Sequence, residues 1–86
     1  MHVLYILKSS IDGRLYIGTT SNLKRRLAQH NAGENVSTKS GRPFILAYCE
    51  VYKAKADALE RERKLKKFKN SYTELKKRIR RSLEGT

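Results

Sequence analysis

The stretch GRLYIGTTSNLKRRLAQH, residues 13–30, decides how the rest of the chain is read. An apolar, β-branched and aromatic run ends in Tyr16-Ile17-Gly18. A Thr/Ser/Asn cluster follows, and then a segment with Leu23 and Leu27 at helical spacing. Strand and helix therefore meet within a few residues. A tyrosine, a glycine, Arg26 and His30 come with them.

Upstream, VLYILKS (Val3–Ser9) has strand composition. Ser10–Gly13, with Asp12-Gly13 as its turn signal, predicts a hairpin onto Arg14–Thr19. Thr20 or Ser21 is expected to cap the first helix, and Asn31–Gly33 to close it. Residues 34–43 are polar, contain Gly and Pro, and read as a loop. Phe44–Tyr52 predicts a long third strand. It is apolar on both alternating faces, as a strand covered on both sides would be, and Cys49 is expected to be buried in it. A second helix is expected over about residues 54–69. A third follows from Ser71, with Ser71 and Glu74 as a capping box and Tyr72, Leu75, Ile79 and Leu83 as its apolar stripe. The order β-β-α-β-α-α predicts one α/β (α+β) domain over residues 1–86, with a mainly antiparallel three-stranded sheet flanked by helices.

Charge narrows the function. There are 20 Lys and Arg against 8 Asp and Glu, a net charge of +12. Residues 61–86 hold 11 of the basic residues and three acids, Glu62, Glu74 and Glu84. Such a block suits a polyanion. No strongly apolar face accompanies it, so nucleic acid is favoured over a membrane surface. One cysteine excludes an internal disulfide and a Cys-based zinc site, and fits a reducing, cytoplasmic setting. No apolar run approaches the length of a membrane span, and the N-terminus lacks the features of a signal peptide.

Helical phase separates candidates from scaffold. At about 100° per residue, Arg26 and His30 fall beside the Leu23–Leu27 stripe, while Lys24 and Arg25 face outward. On the second helix Glu62 falls within the stripe of Ala58, Leu59 and Leu65, and Glu60 falls outside. A carboxylate there needs compensation from a metal ion or from Arg26. The competing reading is a partly exposed Glu62 paired with Lys66 or Arg63 on its own helix. Tyr5 shares a strand face with Val3 and Leu7, and Tyr16 shares one with Gly18. Alternation alone leaves open whether those two faces meet.

The ordered set Tyr5, Tyr16, Gly18, Arg26, His30 and Glu62 resembles the GIY-YIG nuclease superfamily, in particular its small single-domain bacterial branch. The similarity runs from Val3 to about residue 69 and includes ADALERERKLKKFK, which resembles that branch's glutamate-bearing helix. Val3-Leu4-Tyr5 stands where the family name has Gly-Ile-Tyr, and Tyr16-Ile17-Gly18 is intact. The resemblance implies hydrolysis of a phosphodiester with one Mg²⁺ or Mn²⁺ and no small-molecule cofactor. Glu62 would be the metal ligand, and Arg26 a phosphate clamp. Tyr5 would act as general base or water-orienting group, with its pKa lowered by Arg26 and the metal. Tyr16 would be its hydrogen-bond partner or would hold phosphate. His30 would assist proton transfer or bind phosphate, and Gly18 would permit close backbone approach. Lys39, Arg42, Lys64, Lys66, Lys67, Lys69, Lys76 and Lys77 are expected to bind the backbone of nucleic acid, DNA first, without reading sequence. The alternative is a non-catalytic nucleic-acid-binding module on the same fold.

Overall fold

The computed structural model describes residues 1–85. Strand β1 (His2–Ser9) turns through Asp12 and Gly13, whose φ is +75°, into β2 (Leu15–Thr20). Helix α1 (Leu23–Asn31) follows, then a 3₁₀ turn at Lys39–Gly41 and β3 (Phe44–Tyr52). Helices α2 (Lys55–Lys67), α3 (Lys69–Arg78) and α4 (Arg80–Glu84) complete the chain. The sheet order is β2-β1-β3 with both pairs antiparallel, so the expected mixed α/β architecture holds. The most buried strand, β1, is central.

Each sheet face has its own core. On one, Tyr5, Leu7 and Phe44 pack with Leu23 and Leu27 of α1. On the other, Leu4 and Ile6 pack with Leu65 of α2 and with Leu75 and Ile79. Tyr72 and Leu83 join that second cluster, so the stripe expected from sequence is used in full.

Four local expectations are corrected. The cap of α1 is Asn22, whose Oδ1 accepts from the Arg25 N–H at 3.0 Å. Thr20 instead orders the approach to the helix, its hydroxyl accepting from the Asn22 N–H at 3.1 Å. The Ser71/Glu74 capping box does not form. Only Phe68 separates α2 from α3, so α3 begins at Lys69 and Ser71 lies inside its first turn. No Gly or Pro stands there to hold the helices further apart. The stripe then continues across a break at Ile79, giving two helices where one was expected.

Third, β3 is an edge strand and is not covered on both sides. Its Phe44 end sits under α1, but Val51 is 57% exposed. Fourth, Cys49 is exposed for the same reason. An apolar run reports that a strand is hydrophobic, not how far a neighbouring helix extends over it.

Candidate active site

Pairing settles what alternation left open. Tyr5 lies opposite Gly18 and Leu7 opposite Tyr16, so the two tyrosine-bearing faces are one face. The Tyr5 ring lies over Gly18. A Cβ on that glycine would run into the phenol oxygen and the ring carbon that carries it. The glycine thus makes room for a tyrosine side chain, not for an approaching backbone.

Helix α1 brings His30 to the same point. Its Nε2 is 3.2 Å from the Tyr5 hydroxyl, and its Nδ1 is 2.8 Å from Thr38 Oγ1. A Thr38 hydroxyl that donates to the Asn35 carbonyl, 3.4 Å away, leaves its oxygen to accept from Nδ1–H. Nε2 is then the acceptor for the Tyr5 hydroxyl. Tyr5, His30 and Thr38 are each only 4% exposed, so this line of hydrogen bonds is largely buried beneath the surface. Phe44 supports it, with the rings of His30 and Tyr16 set edge-on at 6.0 and 5.1 Å.

Burial raises the Tyr5 pKa above its ordinary 10.0; nearby Arg26 opposes this and Glu62 adds to it. Arg26 acts in the expected direction, lowering the pKa, but burial outweighs Arg26 alone. Burial first, then Arg26, holds His30 below its ordinary 6.5. A neutral imidazole thus stands beside a protonated phenol at neutral pH. The phenol's partner is His30 and not Tyr16, which packs on Phe44.

A cleft of about 440 Å³ opens along β2 above this line. Tyr5, Tyr16, His30 and Thr38 line it from one side, and Lys66 and Tyr72 from the other. A second hollow of about 380 Å³ shares His30 and contains Arg26. Arg26 is half-buried and makes no ion pair among the described residues. Its guanidinium is uncommitted and close enough to act on both Tyr5 and His30.

Glu62 of α2, its side chain 21% exposed, is tied to the cleft through Lys66, which lines it, and through its electrostatic effect on Tyr5. Ala58 and Leu65 form the buried stripe of α2, while Leu59 is 43% exposed, so Glu62 stands on the stripe's flank. Lys66 compensates it, donating to Oε2 at 2.8 Å. No group of three metal-ligating side chains occurs among the described residues. A single carboxylate still suits Mg²⁺, which keeps most of its waters and takes further oxygens from phosphate. Glu62 Oε1 receives no hydrogen bond among the described residues, so it is available to such an ion.

The basic residues divide. Lys66 lines the cleft, and Lys76 lies over the Tyr72 ring at 4.6 Å. Lys67 sits 5.5 Å over the ring of Phe68, and Lys69 is exposed at the start of α3. Lys64 pairs with Glu60 and Lys77 with Glu74, and neither pair lines the cleft. Lys39 and Arg42 are exposed in the loop beside Thr38. Thr38, in the polar segment read as a loop over residues 34–43, is buried against His30. Asn31 also gave no signal in advance: its amide pairs with both the N–H and the C=O of Phe44, at 2.6 and 3.2 Å.

The family model for the GIY-YIG catalytic domain matches residues 1–78. A UPF0213 protein of Staphylococcus haemolyticus is 43% identical over 68 residues, covering 78% of this chain and 82% of its own. One from Halobacterium salinarum is 36% identical over 75 residues, covering 86% and 96%. One from Staphylococcus aureus is 42% identical over 77 residues, covering 88% of each chain. No solved structure matches the chain. The chain belongs to the GIY-YIG family, whose domain implies a nuclease-type function on nucleic acid and general dependence on a divalent metal. Among the described residues no helix is long and apolar enough to cross a membrane.

Proposed function

We propose that this chain is an endonuclease that hydrolyses phosphodiester bonds of DNA with one divalent ion, structure-selectively or without specificity. The observation that supports this is the buried line Tyr5–His30–Thr38 beneath a cleft that also presents Tyr16, with Arg26 in the adjoining hollow and both Arg26 and Glu62 near enough to act on Tyr5.

Tyr5 takes the proton of the attacking water and passes its own to His30 Nε2. A phenol above pKa 10.0 makes a poor base alone. With a neutral imidazole 3.2 Å away, one proton leaves as the other arrives, and little charge builds on the buried oxygen. Thr38 fixes the tautomer that keeps Nε2 ready. Arg26 clamps a phosphate oxygen, a task its planar fork suits. Tyr16 holds the phosphate from the β2 side. Glu62 would hold Mg²⁺ or Mn²⁺, which when bound would neutralise charge on the phosphate and on the leaving oxygen. Lys66, Lys67, Lys69 and Lys76 bind the backbone beside the cleft, and Lys39 and Arg42 bind it from the loop. Lys64 and Lys77 contribute only general attraction.

The test is cleavage of supercoiled plasmid and of a branched oligonucleotide, with Mg²⁺ or Mn²⁺ and with chelator, comparing wild type with Glu62→Ala. Metal-dependent nicking that disappears in the variant while DNA binding survives supports the reading. Salt-sensitive binding without cleavage by either protein overturns it in favour of a binding module.

A further inference from the structure

Away from the cleft, the sheet face under α2 carries a second polar cluster. Glu50 of β3 accepts from four donors. The Tyr48 hydroxyl lies at 2.8 Å, the Arg61 Nε and Nη2 at 3.0 and 3.2 Å, and the Tyr52 hydroxyl completes the set. Burial raises the Glu50 carboxyl, but hydrogen bonds from Arg61, Tyr52 and Tyr48 outweigh it and hold the group below its ordinary value. Both phenols are pushed up to about 12, by burial and then by their bond to Glu50. Carboxylate, guanidinium and phenols therefore keep this arrangement across the whole working pH range.

Its place in α2 gives it a consequence. The helix buries only Ala58 and Leu65 fully, two turns apart. Ala58 is small, so apolar packing restrains rotation about the helix axis weakly. The turn between them offers Arg61 instead of another apolar anchor. Arg61 is also the residue before Glu62. Consecutive helix side chains diverge by about 100°. Fixing Arg61 toward β3 therefore turns Glu62 to the other flank of the Ala58–Leu65 stripe, from which it acts on Tyr5.

We propose that Arg61 is a positioning residue: its two-pronged bond to Glu50 sets the rotation of α2 and thereby holds Glu62 at the cleft. This rests on the nuclease reading above. A bidentate guanidinium resists rotation in a way one ammonium does not, because two parallel bonds fix a plane and a direction.

The experiment compares wild type, Arg61→Met and Arg61→Lys, each also in the Glu62→Ala background, at a temperature where circular dichroism shows all of them folded. Three readouts are taken: kcat and KM for a nicked substrate, half-saturating Mn²⁺, and DNA affinity in chelator. Arg61→Met is expected to lower kcat about ten- to a hundredfold, the scale of a small misplacement of a catalytic group. It should also raise half-saturating Mn²⁺ and leave KM and DNA affinity unchanged. Arg61→Lys should recover part of the loss. In the Glu62→Ala background, where the residual single-turnover rate is read at high enzyme concentration, the Arg61 substitution should cost nothing further, since its route is already gone.

Weakened DNA binding with kcat intact would make Arg61 a phosphate contact and overturn the proposal. An equal extra loss without Glu62 would reduce it to general scaffolding and overturn it too. Wild type that cleaves nothing under any metal is the failure of the nuclease reading itself, and the proposal falls with it.

Discussion

The Tyr5 hydroxyl stands 3.2 Å from His30 Nε2, joining the central strand to the last turn of α1. That bond exists because Gly18 leaves the phenol a place to lie. Gly18→Ala puts a methyl group into the hydroxyl and its ring carbon. Stability is expected to fall by about 1–3 kcal/mol, the usual cost of overpacking. Displacing the phenol should lower cleavage about a hundredfold. Urea unfolding and plasmid nicking measure the two effects. An alanine variant as stable and active as wild type would contradict this placement of Tyr5.

Tyr5→Phe and His30→Gln each break the proton route and leave the basic surface untouched. Each should reduce kcat about 10²–10⁴-fold, the range for losing a general base. DNA affinity in chelator should stay as in wild type. The double variant should be little worse than either single one, because the two residues act as a unit. Additive losses would mean that they serve separate steps.

Acidity should act through His30. Its folded pKa lies below 6.5, so the unfolded chain binds more protons between the two values. Stability therefore rises with pH across that window and is lost as pH falls below 6.5. Cleavage should rise through the depressed pKa and then level off. His30→Gln is expected to remove both dependences. Thermal melts and single-turnover rates from about pH 5 to 8 provide the check, spanning the range in which a histidine titrates. An acid limb unchanged in the variant would assign it to another group.

Thr38→Val keeps the shape and removes the acceptor of Nδ1–H. A buried donor left without a partner costs about 1–3 kcal/mol. The imidazole is then free to change tautomer, so cleavage should fall while Thr38→Ser retains most of it. Nitrogen-15 shifts of His30 should show Nδ1 protonated in wild type and a mixture in the valine variant. A wild-type ring protonated on Nε2 would refute donation from Nδ1–H to Thr38 and from the Tyr5 hydroxyl to Nε2.

Leu65 anchors α2 to the sheet core and is 1% exposed. Leu65→Ala should destabilise the protein by about 2–5 kcal/mol, as cavity-forming changes of this kind do. Denaturant titration tests it, and a loss well under about 1 kcal/mol would mean the helix is held mainly by other contacts.

Elements whose signals are local were legible in the sequence. Asp12-Gly13 at a turn, the strand composition of Val3–Ser9 and the Leu75–Ile79 stripe each report on residues a few positions apart. So does the phase that put Arg26 and His30 on the inner side of α1 and Lys24 and Arg25 outside. The same phase marked Glu62 but left its compensation undecided between its own helix and a more distant group. The fold selected Lys66.

What the sequence alone did not determine depends on distances between elements. Whether Tyr5 and Tyr16 share a face follows from strand register. Whether Cys49 is buried follows from how far α1 reaches across the sheet. Whether Thr38 is a loop residue or the partner of His30 follows from how residues 34–43 fold back. Raising of the Tyr5 pKa required knowing that burial outweighs Arg26. The Glu50 cluster joins residues 11 positions apart through a strand and a helix. Hydrogen-bond periodicity and side-chain phase are properties of consecutive residues, so the sequence determined the strands, the order of the main elements and the inward side of α1. Desolvation, pairing register and contact between elements arise only when the chain closes on itself, and tertiary structure alone decided which of those inward residues meet.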